Sequence, residues 1–137
     1  MKNLLTLITL LFGLMFSSTS FAEWTKMGVD GNGNTVYVDF ERIRKVDGYF
    51  YWWVLVDHLE TDEYGTLSSK SYSQVDCKLF RYQILTFSFH KDAMGEGIGD
   101  ISKPSGEMKG WLYPPPDSGQ EFVLKTVCAY VNLGYSI

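Results

Sequence analysis

Residues able to do chemistry are few and widely spaced in this chain. Two histidines, His58 and His90, each fall near the end of a run that reads as a β-strand, and nothing in the sequence sets a third ligand or a catalytic acid beside either. Zinc-type centres need three or four ligands at short, regular spacings, so both histidines read as solvent-exposed strand-end side chains. Asp30-x-Asn32-x-Asn34, with Glu41 further on, imitates a calcium loop. Its sixth position is Thr35 where that loop requires glycine, and strands rather than helices flank it. Glu60, Asp62 and Glu63 read as a solvated acidic loop, and Arg42, Arg44 and Lys45 form the only basic cluster. No nucleophile elbow, metalloprotease helix, phosphate loop or complete dinucleotide fingerprint is present. We therefore expect no enzyme, no catalytic residue, no metal and no cofactor.

Cys77 and Cys128 are the only cysteines. They lie too far apart for a C-x-x-C redox motif, and neither has a histidine or second cysteine at ligand spacing. In an oxidising compartment the expectation is one structural disulfide between them. The N-terminus supports such a compartment. Lys2 precedes the apolar run Leu4–Phe16, and Ser20-Phe21-Ala22 places small residues before a cleavage point after Ala22. Residues 1–22 thus read as a signal peptide and 23–137 as a single domain, exported to the periplasm or secreted. The apolar run is short of the roughly 20 residues of a spanning helix. No cysteine follows it to be acylated, so neither a transmembrane nor a lipid anchor is expected.

The elements that position these residues follow from periodicity. Glu23–Val29 and Thr35–Phe40 read as strands around the turn signal Asn32-Gly33. Glu41–Lys45 reads as a brief helical turn before Asp47-Gly48. Tyr49–His58 is the most strand-like run, with Tyr49, Tyr51, Trp53 and Leu55 on one face and Phe50, Trp52, Val54 and Val56 on the other. A strand apolar on both sides is either covered twice or leaves an adhesive surface. Tyr49, Tyr51 and Trp53 are therefore the candidate interaction surface. Thr66–Cys77 and Leu79–His90 read as further strands, Lys91–Lys109 as a glycine-rich mobile loop, and Trp111–Tyr113 as a short edge strand. Ser118 and Glu121 have capping-box spacing, and Leu124, Val127, Cys128 and Val131 share one helical stripe. The expected fold class is α+β: a twisted antiparallel sheet of five or six strands, a C-terminal α-helix packed on one face, and one disulfide.

Composition narrows the function classes. The chain has 137 residues with 12 basic and 16 acidic side chains, a net charge of −4. No basic excess exists to displace counterions from a phosphate backbone, so nucleic acid is excluded as a partner class. With 45% apolar residues the chain can bury a core rather than remain disordered. Its 4 Trp, 9 Tyr and 9 Phe are a heavy aromatic load for so small a protein. Aromatic side chains are enriched in the cores of protein interfaces, so a protein partner is expected. The contrasting expectation is a periplasmic small-ligand carrier or enzyme with a pocket between helix and sheet.

An ordered set of residues resembles the surface-adhesin protein E family, small exported domains of Gram-negative bacteria. It runs from Trp24 through Tyr37-Val38-Asp39, Ile43-Arg44 and Trp53-Val54-Leu55-x-Asp57. It continues with Ser69-Lys70-Ser71, Asp76-Cys77, Arg81-Tyr82 and Met94-Gly95-x-Gly97, and ends with Trp111, Pro114 and Leu124-x-x-Val127-Cys128. The resemblance implies an antiparallel sheet with a C-terminal helix on its concave side. It further implies surface display, binding to host matrix or plasma proteins, and dimerisation. The family's lipoprotein anchoring has no counterpart here, because this chain offers no cysteine to acylate.

Overall fold

The computed structural model describes residues 23–134. The expected signal peptide and its cleavage point after Ala22 lie outside the described residues. Seven strands form one antiparallel sheet: β1 (Thr25–Val29), β2 (Thr35–Val38), β3 (Arg44–Val46), β4 (Tyr49–Asp57), β5 (Ser68–Asp76), β6 (Arg81–His90) and β7 (Asp100–Ser102). Their order across the sheet is β1-β2-β4-β5-β6-β7. β2 and β3 lie end to end along the same edge of β4: β2 pairs with Val54–Asp57 and β3 with Tyr49–Tyr51. A 3₁₀ turn at Phe40–Arg42 joins them. One helix, α1 (Gly119–Asn132), follows the sheet.

Local chemistry explains the turns. Asp47 and Gly48 have φ of 51° and 84°, and Val46 faces Tyr49, so β3 and β4 are joined by a two-residue turn of the mirror-image kind. Between β1 and β2 the Asp30 carboxylate accepts from the Asn32 and Asn34 backbone N–H groups at 2.9 and 3.0 Å. Its second oxygen accepts from the Asn34 side chain at 3.1 Å. The calcium-like spacing is therefore the signature of a self-bonded Asx loop. Ser118 caps α1 by accepting from the Glu121 N–H at 3.1 Å. The reciprocal half of the capping box is absent: the Ser118 N–H donates to Pro115, and Glu121 instead pairs with Lys125 at 2.6 Å.

The core lies between α1 and one face of the sheet. Val38, Phe50, Trp52 and Val75 from the strands meet Leu124, Val127, Cys128 and Val131 from the helix. Cys77, just past β5, is bonded to Cys128, with Cα atoms 5.7 Å apart. The disulfide thus closes the layer where the helix stripe crosses the end of β5, as its position on that stripe requires.

Three local expectations are corrected. The Lys91–Lys109 segment contains β7, which pairs with Phe87–Phe89, and its start is tied to the sheet. Glycines permit that docking: a Cβ at Gly99 would sit 2.1 Å from Ser88 Oγ and 2.6 Å from His90 Cε1. Trp111–Tyr113 is not a strand; a single bridge joins Leu112 to Tyr82. The expected helical turn at Glu41–Lys45 ends at Arg42, because Arg44–Val46 has the better option of pairing with β4.

Candidate functional site

The register of β4 and β5 decides what the second sheet face presents. Phe50, Trp52 and Val54 face Val75, Ser73 and Ser71 on the helix side. Tyr51, Trp53 and Leu55 face Gln74, Tyr72 and Lys70 on the other. No helix covers that second face among the described residues, yet it is closed at both ends. At one end Leu55 is fully buried beneath the turn at Ala93–Gly95. That turn is held by Asp57, which accepts from the Met94 N–H at 2.7 Å. Ser68 accepts from the Gly95 N–H at 2.8 Å and donates to the Asp92 carbonyl at 2.5 Å. Gly95 sits so low that a Cβ there would lie 3.2 Å from Leu55 Cδ1 and 3.0 Å from Lys70 Cδ. At the other end Trp111 packs on Tyr49 at 5.6 Å between ring centroids. The Arg81 guanidinium lies 4.4 Å over the Trp111 ring and pairs with Asp76 at 3.2 Å.

Between these two closures the face stays open. Trp53 and Tyr72 are stacked with centroids 4.8 Å apart, and Tyr51 lies 6.0 Å from Tyr72. All three are half-buried. Their polar tips are tethered: Arg44 donates to the Tyr72 hydroxyl at 2.7 Å, and Gln74 donates to the Tyr51 hydroxyl at 2.8 Å. Gln83 in turn donates to Gln74. A ring whose hydroxyl is tethered and whose face is stacked has few rotamers left to lose on binding. The 3₁₀ turn and the start of β3 rise beside Trp53 and Tyr72 to form an open groove of about 520 Å³. It is lined by Glu41, Arg42, Ile43, Arg44, Trp53 and Tyr72. Ile43 anchors this wall by burying its side chain in the core, and Asp39, 1% exposed, accepts from the Arg42 N–H at 3.3 Å and pairs with its guanidinium at 3.4 Å.

The candidate surface residues therefore part company. Tyr51 and Trp53 belong to the open groove region, whereas Tyr49 is taken up by Trp111. Sequence reasoning missed Tyr72 as a partner of Trp53, and it left Arg42 and Arg44 as a basic cluster with no assigned role. The pairing of β4 with β5 was the missing signal, since the ten residues from His58 to Leu67 fix no register by themselves.

The chemistry-bearing residues do not converge. His90 is buried at 3% exposure, not at the surface as expected for a strand end. Its Nδ1 lies 3.0 Å from the Glu96 carbonyl and its Nε2 2.7 Å from Ser88 Oγ. Burial follows because the Glu96–Asp100 stretch must cross β6 to start β7. A Ser–His pair at this distance has the geometry of an activated hydroxyl, but Gly99 lies directly over it and the histidine's other nitrogen is spent on a loop carbonyl. His58 lies 3.5 Å from Ser69 Oγ and close enough to Asp30 and Asp62 to help lower the pKa of each. Asp62 is occupied by the Tyr64 and Thr66 N–H groups at 2.9 and 2.8 Å. Among the described residues no group of three His, Cys, Asp or Glu side chains is placed to hold a metal. The space between helix and sheet is filled by core side chains.

The profile of the family described as surface-adhesin protein E matches residues 24–129. The chain belongs to the surface-adhesin protein E family. Crystal structures of protein E from Haemophilus influenzae share the fold. One, from a non-typeable strain, has a TM-score of 0.60 at 17% identity, covering 88% of this chain and 84% of that one. A second has a TM-score of 0.57 at 19% identity, with coverages of 82% and 88%. No curated protein matches.

Proposed function

We propose that this surface-adhesin protein E family member is a non-enzymatic, exported binding module of the cell envelope that engages a protein partner through its open sheet face. Residues 23–137 form the exported domain, with residues 1–22 removed as a signal peptide. Among the described residues no helix is long and apolar enough to cross a membrane. The observation that carries the reading is the half-buried Trp53–Tyr72 stack, fixed by Arg44 and bordered by Tyr51, on a face otherwise closed by the Ala93–Gly95 turn and by Trp111. Tyrosine, tryptophan and arginine are the residues that dominate interface energetics, and a rigid, pre-tethered set binds at low entropic cost.

The name of the family makes host matrix proteins one class of partner, and envelope proteins or a second copy of the chain are the others. The test is affinity capture by the purified domain from envelope extract and from an array of host matrix proteins. Wild type is compared with Trp53→Ser and with Phe122→Ser, which removes an exposed aromatic from the helix. A specific partner lost only with Trp53→Ser supports the reading. Retention by Trp53→Ser removes the face from the function.

A further inference from the structure

The open groove carries charge as well as aromatic surface. Arg42 and Arg44 line it, and Lys70 lies on the same face, two residues before Tyr72 along β5. In a chain of net charge −4 these three cations lie near one another, with Asp39 and Glu41 as the acids beside them. Arg42 has Asp39, but among the described residues no carboxylate pairs with Arg44 or Lys70. Partial burial, and then the Arg42 charge, hold the Lys70 ammonium below the usual lysine range. Crowded like charges of this kind are relieved by an incoming anion. Glu41, the one acid in the lining, hydrogen-bonds with Glu23, and this contact is the main cause raising its pKa. Trp53, whose indole N–H is a hydrogen-bond donor, lines the same groove.

We infer that the groove binds a carboxylate presented by a short acidic segment of a protein partner. The inference rests on the reading of the open face as the binding surface. Arg44 spends one N–H on Tyr72 and keeps the rest of its fork for a carboxylate, a geometry that guanidinium groups match with two parallel hydrogen bonds. The side-chain methylenes of a glutamate would lie along Trp53 while its oxygens accept from Arg44 and Arg42. A short segment fits better than an extended polyanion. The groove is about 520 Å³ and Glu41 is part of its lining, so sulfates further along a chain would meet a carboxylate.

The test uses the ¹⁵N-labelled domain, titrated with blocked tetraglutamate, blocked tetraglutamine and a heparin hexasaccharide. The expected result is saturable shifts with tetraglutamate at the Arg42–Arg44 amides, Tyr72 and the Trp53 indole N–H. Binding should fall about tenfold or more in Arg44→Gln, recover in part in Arg44→Lys, and weaken less in Lys70→Gln. Arg44 is exposed, so resonances away from the groove serve as the folding control. Equal shifts with tetraglutamine overturn the inference, as does wild-type tetraglutamate affinity in Arg44→Gln. Binding of the hexasaccharide without tetraglutamate overturns it in favour of a polyanion. The two readings separate cleanly. A partner lost with Trp53→Ser but kept by Arg44→Gln leaves the binding face standing and removes the carboxylate site. A partner kept by Trp53→Ser, with tetraglutamate still bound, does the reverse.

Discussion

Trp52 and Trp53 are chain neighbours of the same residue type that point to opposite faces of β4, so replacing each by alanine should have unequal consequences. Trp52 is 2% exposed and packed in the helix–sheet core beside Phe50, Val75 and Val127. Loss of a buried tryptophan removes its transfer energy and leaves a cavity, a cost of about 3–5 kcal/mol. Against the total of about 5–15 kcal/mol typical of a domain, Trp52→Ala should leave a marginal fold. Trp53 is half-buried on the open groove and stacked on Tyr72 at 4.8 Å. Its removal forfeits an aromatic pair of about 0.5–1.5 kcal/mol and part of its burial, about 1–2 kcal/mol in all. The assay is urea unfolding of the purified domain followed by far-ultraviolet circular dichroism, which does not depend on tryptophan emission. With a slope of about 2 kcal/mol per molar, the midpoint should drop by roughly 2 M for Trp52→Ala and by less than about 1 M for Trp53→Ala. Equal shifts, or a larger shift for Trp53→Ala, would refute the assignment of the two faces.

Three further outcomes follow from the packing. Cys77→Ser with Cys128→Ser opens a loop of separation 51, and the chain-entropy relation gives a loss of about 4 kcal/mol, read as a lowered midpoint in the same assay. Gly99→Ala would drive a Cβ into Ser88 Oγ and His90 Cε1 and should cost about 1–3 kcal/mol; faster amide exchange confined to β7 and the end of β6 would show it, and wild-type exchange there would contradict it. The Asp76 carboxyl is held below the ordinary carboxylate range, first by the Leu79 N–H and then, against its burial, by Arg81. A depressed folded-state value means this stabilisation is complete above about pH 4 and is lost as pH falls through the lower folded value. Asp76→Asn should therefore flatten the acid limb of a stability–pH curve, and an unchanged limb would remove Asp76 from that role.

The helix and the disulfide were legible in the sequence because each rests on local information. Leu124, Val127, Cys128 and Val131 recur at helical spacing, and two cysteines in an exported chain have one pairing. The two-faced character of Tyr49–Val56 was equally plain from alternation. What covers each face was not, since it depends on contacts far apart in the chain: Trp111 reaching Tyr49, and the Met94–Gly95 turn reaching Leu55. β7 was hidden because its Asp-Ile-Ser triplet is too short for any period, and its pairing depends on glycines whose value lies in the absence of a side chain. His90 was misplaced for the same reason; the chain that buries it is the chain that forms β7. The groove needed the β4–β5 register to bring Tyr72 to Trp53, and the β3 pairing to bring Arg44 to both. Its chemistry was visible only as a small basic cluster in an acidic protein.

The proposed function requires that the Tyr51–Trp53–Tyr72 face, and not the helix side, meet the partner. The most direct measurement is capture of a defined partner by wild type, Trp53→Ser and Phe122→Ser domains, each shown to be folded, quantified on one surface. Loss of the partner with Trp53→Ser and full retention with Phe122→Ser is the predicted result. Full retention with Trp53→Ser, or loss with Phe122→Ser alone, would contradict it.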